Sequence, residues 1–181
     1  VVEKVRSHHL ANLGISRFKK FAWIAEHILH APLSEGEMAA LGKRFAGLAL
    51  EKVLAAPFVP GAVAALARLA GSHPLFVASG TPQEELVQII EHRGLRERFS
   101  EIHGSPTEKP TILRDIMRRH GYAPAEILFI GDGISDFEAA VATGIHFLAR
   151  DTPALHSAWL ERGVRREPDL VRLPELVDGP W

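Results

Sequence analysis

Apolar residues in the first part of the chain recur at three- and four-residue intervals, which places them on one face of an α-helix. This pattern predicts three helices, over residues 4–13, 16–30 and 34–56. Gly14 ends the first helix, and Pro32 breaks the chain after the second. The third opens with a capping box, because Ser34 can accept from the Glu37 amide while Glu37 reaches back to Ser34. Residues 1–57 are therefore predicted to form a small all-helical domain.

From residue 58 onward, short apolar runs alternate with amphipathic segments. The short runs predict strands at residues 75–78, 99–103, 127–130 and 146–149. The amphipathic segments predict helices at residues 61–70, 82–93, 110–120, 135–143 and 152–161. Thr81 and Glu84 predict a second capping box, and Thr152 predicts an N-cap. Wholly apolar strands alternating with helices indicate a parallel sheet that helices cover on both faces.

The two patterns together predict an α/β protein built from two parts. Residues 58–181 are expected to form a Rossmann-like, three-layer α/β/α core with a parallel sheet, and the helical domain precedes it. Residues 170–176 could add a short element at the edge of the sheet.

Composition and charge argue against several other classes of protein. The chain is 46% hydrophobic and 24% charged, as globular proteins are, and it has no cysteine for a disulfide, a thiolate nucleophile or a Cys-based zinc site. Its net charge of −1 gives no field that would attract nucleic acid or anionic lipid. There is neither a secretory signal nor an apolar run of roughly 18 residues. We therefore expect a cytoplasmic monomer or homodimer.

The helical part carries a positive excess, with eight Lys and Arg against five Glu in residues 1–56. Such an excess favours an anionic metabolite that enters between the two parts. The candidates for lining that cleft are Ser7, His8, His9, Arg17 and Lys20. For each of them the alternative is a solvated helix face, which is the commoner situation for such residues.

The polar residues that follow each strand are candidates for chemistry, because ligands of open parallel sheets bind beyond the carboxyl ends of the strands. Ser79, Gly80 and Thr81 follow the first predicted strand, next to a helix N-terminus whose free amides favour an anion. The alternative is a well-capped turn without a ligand. Lys109 opens a later helix, where the helix dipole disfavours a positive charge. An acidic cluster or a phosphate would offset that cost, although a solvated loop lysine is the alternative.

Two carboxylates follow the third predicted strand. Asp132 lies between Gly131 and Gly133, and Asp136 is four residues further along. Carboxylate oxygens are the ligands that a hard divalent cation such as Mg²⁺ prefers, and small neighbours let a ligand come close. The alternative is an Asp-rich turn that caps the next helix.

These segments, taken in order, resemble the second, third and fourth motifs of the haloacid dehalogenase-like hydrolase superfamily. The match is Ser79 after an apolar strand, Lys109 before a helix, and Gly131-Asp132-Gly133 with Asp136 after another strand. The helical part resembles the cap of helical-cap subfamily I, the phosphoglycolate phosphatase-like group. That cap closes with a Pro-Gly element, as residues 57–61 do here. The resemblance extends to about Ala149.

The resemblance implies a Mg²⁺-dependent phosphatase that acts on a small phosphorylated substrate. It assigns catalytic roles to Ser79 and Lys109: Ser79 would bond a phosphoryl oxygen, and Lys109 would pair with both nucleophile and phosphate. Asp132 would hold the metal, and Asp136 would support that site. The residues that match the phosphate-binding positions are Ser79, Gly80, Thr81 and Lys109.

The family's first motif, Asp-x-Asp-x-Thr, occurs nowhere in the chain. The resemblance therefore implies that the nucleophile and the first core strand lie upstream of Val1, with that strand between those ending at Ser79 and Asp132. The alternative is a catalytically inactive module that keeps the fold and binds phosphate or a partner. A receiver domain also uses Asp, Ser or Thr, and Lys at strand ends. Its acidic pair comes early and its lysine last, whereas Lys109 here precedes Asp132.

Overall fold

The computed structural model describes residues 1–181, and its first 55 residues contain only helices. They are α1 (Val2–Ala11), α2 (Arg17–Ile24), a π-helical turn (Ala25–Leu29) and α3 (Glu35–Ala55). The segment predicted as one helix over 16–30 thus changes its winding at Ala25, and it ends at His30 with a left-handed φ of 53°. The capping box of α3 is confirmed, since the Glu37 amide donates to Ser34 Oγ and the Ser34 amide donates to Glu37 Oε2.

The helical part has little core of its own. Only Ala25 and Gly42 are buried in it. Helix α3 packs closely on α2 at Gly42, where a Cβ atom would lie 2.7 Å from a carbon of the Phe18 ring. The Phe21 ring meets the rings of Phe18 and Phe45 edge to face. With so small a core, the position of these helices depends on their contacts with the rest of the molecule.

The remaining residues form an α/β unit in which every strand pair is parallel, as the alternating pattern predicted. The strands are β1 (Phe76–Pro82), β2 (Glu101–Ser105), β3 (Leu128–Gly131), β4 (His146–Arg150) and β5 (Arg166–Glu167). The helices are α4 (Ala62–Leu69), α5 (Gln83–His92), α6 (Lys109–His120), α7 (Ile134–Thr143), α8 (His156–Glu161) and α9 (Leu173–Val177). No helix has the length and hydrophobicity that a membrane crossing requires.

The strands form two groups, β1 with β2 and β3 with β4 and β5. Strands β1 and β3 are not paired with each other. The loop of residues 13–16, which joins α1 to α2, lies against the last residues of β1 and the turn that follows β3. The Leu13 carbonyl oxygen is 2.7 Å from where a Cβ of Gly133 would be, and the Gly14 carbonyl oxygen is 2.7 Å from the corresponding position at Gly80. Glycine at these two positions allows the loop to approach.

Side chains of β3 and β4 alternate between two helical layers. Leu128, Ile130 and Leu148 pack with buried residues of α4 and α9. Phe129 and Phe147 face the cluster that α6 and α7 form around Leu113 and Ala140. This period-two alternation places helices on both faces of the sheet, which is the predicted three-layer α/β/α arrangement.

Three local predictions in this unit are wrong. The Thr81 capping box does not form, because β1 continues to Pro82 and α5 begins at Gln83 without a side-chain cap. Thr152 is not an N-cap, because a turn follows it and α8 begins only at His156. Residues 170–176 do not form the edge element: they lead into helix α9, and β5 is the edge strand. The end of β1 and the identity of the edge strand are both decided by pairing between strands that are distant in sequence.

Candidate active site

Lys109, the first residue of α6, forms a buried ion pair with Asp136 in the first turn of α7. Its Nζ lies 2.6 Å from Asp136 Oδ1, and the two residues are 8% and 6% exposed. Asp136 Oδ2 also accepts from the Gly133 amide at 3.0 Å, which makes it a cap of its own helix. Burial raises the pKa of Asp136, while the Lys109 ammonium and the Gly133 amide oppose that rise. The carboxylate thus offsets the cost of a lysine at a helix N-terminus.

The Lys109 ammonium makes two further contacts. It donates to Ser135 Oγ at 3.1 Å and to the Gly14 carbonyl oxygen at 2.8 Å. With Asp136, these partners use all three N–H donors of the ammonium group. Ser135 Oγ in turn donates to the Leu13 carbonyl oxygen at 3.2 Å. The loop of residues 13–16 is therefore bonded directly to the residues that follow β2 and β3.

Ser79, Gly80 and Thr81 lie at the other side of this loop, at the end of β1. The Thr81 amide donates to Ser79 Oγ at 3.1 Å, within the stretch of β1 where its register with β2 shifts. Gly80 approaches the Gly14 carbonyl oxygen that Lys109 also binds. One backbone oxygen thus links the end of β1 with the start of α6.

Asp132 is the exposed acid of the site, and none of its oxygens is hydrogen-bonded within the chain. Its charge lies close enough to Asp136 to contribute to the raised pKa of that residue. No group of three or more His, Asp or Glu side chains is placed to hold a metal ion. Mg²⁺ needs no such cage, since it is commonly held by one or two carboxylates, a substrate phosphate and water. Asp132 fits a ligand of this kind, and Asp136, whose oxygens bind Lys109 and Gly133, fits a supporting role.

A cavity of about 650 Å³ separates the end of β1 from helices α1, α2 and α3. Of the residues predicted to bind substrate, seven line it: His8, His9, Arg17, Lys20, Ser79, Gly80 and Thr81. Ser7, Lys109, Asp132 and Asp136 do not, although Gly14 of the loop bonded to Lys109 does. No Asp or Glu lines the cavity.

The cations of the cavity wall differ in their partners. Arg17 Nη2 lies 2.7 Å from Glu85 Oε1 of α5, and its guanidinium stacks over the Phe45 ring at 4.6 Å. Lys20 Nζ contacts only the Nδ1 atom of His9, at 3.1 Å, and has no carboxylate partner. Burial, together with the charge of Lys109, lowers the pKa of Lys20. The charge of Arg17 in the helical part is therefore balanced by Glu85 of the α/β unit, whereas the charge of Lys20 has no anionic partner.

Sequence reasoning missed three features of this site. Ser135 stands between the two aspartates, and that position could have singled it out as a partner of Lys109. Apart from Gly14, whose φ is 85°, no residue in the sequence indicates that residues 13–16 contact the strand ends. Glu85 is one of two adjacent glutamates on α5, and nothing in the pattern distinguishes it as the partner of Arg17.

Comparison with known proteins identifies the family. A family model described as haloacid dehalogenase-like hydrolase matches residues 8–144. The phosphoglycolate phosphatase of Aliivibrio fischeri is 30% identical over 82 residues, which cover 42% of this chain and 36% of that protein. That of Synechococcus elongatus is 32% identical over 89 residues, 48% of this chain and 42% of that protein. The matches thus span less than half the length of these two curated relatives.

Solved structures show the same fold. A predicted phosphoglycolate phosphatase from Haemophilus somnus superposes with a TM-score of 0.70 at 20% identity, over 93% of this chain and 80% of that one. CbbY from Rhodobacter sphaeroides, solved in complex with xylulose-1,5-bisphosphate, gives a TM-score of 0.74 at 16% identity, over 94% and 79%. The family model covers well over half of the residues and includes the Ser79, Lys109 and Asp132 segments. The chain belongs to the haloacid dehalogenase-like hydrolase family.

Proposed function

We propose that the protein is a Mg²⁺-dependent phosphatase of a small phosphorylated metabolite, acting through an aspartyl-phosphate. The observation that supports this most strongly is the position of the Gly14 carbonyl oxygen. It accepts from the buried Lys109 ammonium at 2.8 Å and lies beside Gly80, the residue that follows Ser79 in β1. An oxygen atom held between these groups marks the place where a phosphoryl oxygen would bind.

Phosphoryl transfer needs positioning and neutralisation of the equatorial oxygens more than covalent assistance. In the proposed mechanism, Lys109 donates to one phosphoryl oxygen in place of the Gly14 carbonyl. Ser79 Oγ and the Gly80 amide donate to another. Asp136 pairs with the lysine and keeps its ammonium group directed at the substrate. A carboxylate displaces the substrate alcohol from phosphorus, and water then releases phosphate from that carboxylate.

Asp132 would hold the magnesium ion at the tip of β3, with Asp136 supporting it from α7. The ion, when bound, would neutralise part of the phosphoryl charge. Asp132 suits this role because it is exposed and its oxygens are free of other bonds in the chain.

We place the nucleophile upstream of Val1, on a strand between β1 and β3. Residues 1–181 contain no Asp-x-Asp pair, and β1 and β3 each have a partner on one side only. A strand between them would end beside Ser79 and Asp132, where residues 13–16 now lie. The relatives named as phosphoglycolate phosphatases, and the xylulose-1,5-bisphosphate bound by CbbY, suggest a substrate of similar size.

Two measurements test the proposal. The coding sequence before the Val1 codon is expected to encode Asp-x-Asp-x-Thr, and the polypeptide that begins there is expected to hydrolyse p-nitrophenyl phosphate with Mg²⁺. Asp132→Asn should lower kcat/KM at least about 100-fold without changing the circular dichroism spectrum. The control Asp178→Asn changes an exposed carboxylate near the carboxyl terminus and should leave activity unchanged. Phosphate binding without turnover, in a polypeptide lacking the motif, would favour the inactive module instead.

A further inference from the structure

We propose that Gln83 is a positioning residue for the phosphate-binding end of β1, and that it acts on the Ser79 hydroxyl through Thr81. Gln83 is the first residue of α5, is exposed to solvent and lies outside the cavity. The assignment rests on the proposed phosphatase function and adds to it a residue that holds a substrate-binding group in place without touching the substrate.

The end of β1 departs from regular pairing with β2 at the point where phosphate is proposed to bind. Ala78 is in register with His103, and the next paired residue of β1 is Pro82, opposite Ser105. The three residues 79–81 of β1 therefore stand against a single residue of β2. Additional residues of this kind bend a strand and redirect its side chains. Their position must be fixed by contacts other than the regular ladder.

The side-chain amide of Gln83 supplies such contacts. Its Nε2 atom donates to the Ile102 carbonyl oxygen at 2.9 Å, and its Oε1 atom accepts from the Gly104 amide. These two backbone groups flank His103, the last residue of β2 in register with β1 before the shift. Because the donor and the acceptor of one planar amide are both bonded, the side chain fixes the start of α5 relative to β2.

The backbone next to this amide lies directly against β2. A Cβ atom on Gly104 would lie 2.6 Å from the Thr81 carbonyl oxygen and 2.7 Å from Gln83 Cα. Only glycine allows so close an approach, and Thr81 and Gln83 both make it at the same position of β2. A shift of Gln83 away from β2 would therefore displace Thr81 as well.

Thr81 in turn determines the direction of the Ser79 hydroxyl. The Thr81 amide donates to Ser79 Oγ at 3.1 Å, and that hydroxyl donates to no group of the chain. Because the oxygen is held as an acceptor, the hydroxyl hydrogen remains available for a phosphoryl oxygen. The alignment of this donor with the substrate thus depends on Thr81, whose position depends on Gln83.

Substitutions in the polypeptide translated from the whole gene test the assignment. Gln83→Met removes both hydrogen bonds at nearly constant side-chain length. Gln83→Glu places a carboxylate in the first turn of α5, which the helix dipole favours, but it turns an oxygen towards the Ile102 carbonyl oxygen. The matched control is Gln88→Met, at an exposed glutamine of the same helix whose side chain makes no hydrogen bond. The measurements are kcat and KM for p-nitrophenyl phosphate with Mg²⁺, and the midpoint of urea unfolding.

We expect Gln83→Met to lower kcat roughly 10- to 100-fold while KM changes less than about 3-fold, because a displaced donor loses its alignment with the transition state. Gln83→Glu should also lower kcat, with an unfolding midpoint that is unchanged or higher. A residue that only stabilises the fold would not separate activity from stability in this way. Gln88→Met should leave kcat and KM within about 2-fold of the unsubstituted protein. Should Gln83→Met fail to fold, Gln83→Glu carries the same comparisons.

A double variant decides whether Gln83 acts through Ser79. If it does, Gln83→Met should change kcat less than about 3-fold once Ser79→Ala is present, because the donor that it aligns is already missing. Effects that multiply in the double variant would overturn the assignment, as would an unchanged kcat in both Gln83 variants.

Failure of the proposed function has a different signature. If Ser79→Ala alone leaves kcat unchanged, Ser79 does not bind phosphate, and the positioning role fails with it while the phosphatase activity stands. If the unsubstituted protein hydrolyses no phosphate ester, the proposed function itself is wrong and the positioning role is overturned with it.

Discussion

The ion pair between Arg17 and Glu85 joins the helical part to the core where both side chains are largely covered. The pair spans 2.7 Å, and the two side chains are 11% and 13% exposed. Arg17 also stacks on Phe45 of α3, so three helices meet at this guanidinium. We predict that Glu85→Gln destabilises the protein and loosens the attachment of the helical part.

The expected size of this effect follows from the burial of the pair. Removing one partner of a fully buried ion pair costs about 3–5 kcal/mol, because the other charge stays buried without compensation. The remaining exposure admits some water, and glutamine can still accept one hydrogen bond from Arg17. We therefore expect about 2–4 kcal/mol for Glu85→Gln. For a chain of this length that corresponds to a decrease in Tm of roughly 5–15 °C.

The assay is urea unfolding followed by circular dichroism, with Glu84→Gln as the control. Glu84 is adjacent on α5, exposed and without an ion-pair partner, so its substitution should change the free energy of unfolding by less than about 0.5 kcal/mol. Arg17→Met and the double variant complete a mutant cycle, in which the double variant should cost less than the sum of the single ones. Additive effects, or equal effects of Glu85→Gln and Glu84→Gln, would show that the pair does not hold the two parts together.

Two further predictions concern the loop and the edge of the core. Gly14→Ala should cost about 1–3 kcal/mol in urea unfolding, because φ is 85° there and the new Cβ would lie 2.5 Å from Ser135 Oγ. Gly47→Ala, in open space on α3, should be neutral or stabilising, and a similar loss at both sites would contradict the argument. Hydrogen bonds from Arg119, with smaller contributions from two histidines, hold the pKa of Glu101 well below its ordinary 4.5. Its contribution to stability is therefore present above about pH 4.5 and lost as the pH falls further, so Glu101→Gln should flatten the acid side of the stability profile, measured as unfolding midpoints between about pH 7 and pH 3.

The sequence predicted the architecture because burial on both faces makes strands apolar throughout and helices amphipathic. It predicted element limits less well wherever pairing decides them. The strand expected at 99–103 lies at Glu101–Ser105, because Phe99 follows a short 3₁₀ helix and the register with β1 begins at Glu101. Strand β1 likewise extends to Pro82 because that residue pairs with Ser105. Such pairings join residues more than twenty positions apart, and local patterns do not contain them.

In the candidate site, too, some contacts could be predicted from the sequence and others could not. An electrostatic argument predicted an acidic or phosphate partner for Lys109, since a lysine at a helix N-terminus is otherwise unfavourable. The structure provides Asp136 at 2.6 Å. No comparable local conflict marks Arg17, whose partner is 68 residues away and belongs to a common residue type. A residue whose local environment disfavours it can be singled out from sequence, whereas one that is acceptable both in solvent and in a buried pair cannot.

The contacts of Lys109 link the proposed chemistry to the position of the helical part. All three donors of its ammonium group are in use, so a phosphoryl oxygen can bind there only by replacing one of the present acceptors. Asp136 is held by the Gly133 amide and belongs to α7, whereas Gly14 belongs to the loop between α1 and α2. Replacing the Gly14 carbonyl is therefore the less costly exchange, and it shifts the loop that joins these two helices. Helix α2 carries Arg17 and Lys20 of the cavity wall, so on the proposed mechanism the event that places phosphate on Lys109 also shifts these two side chains.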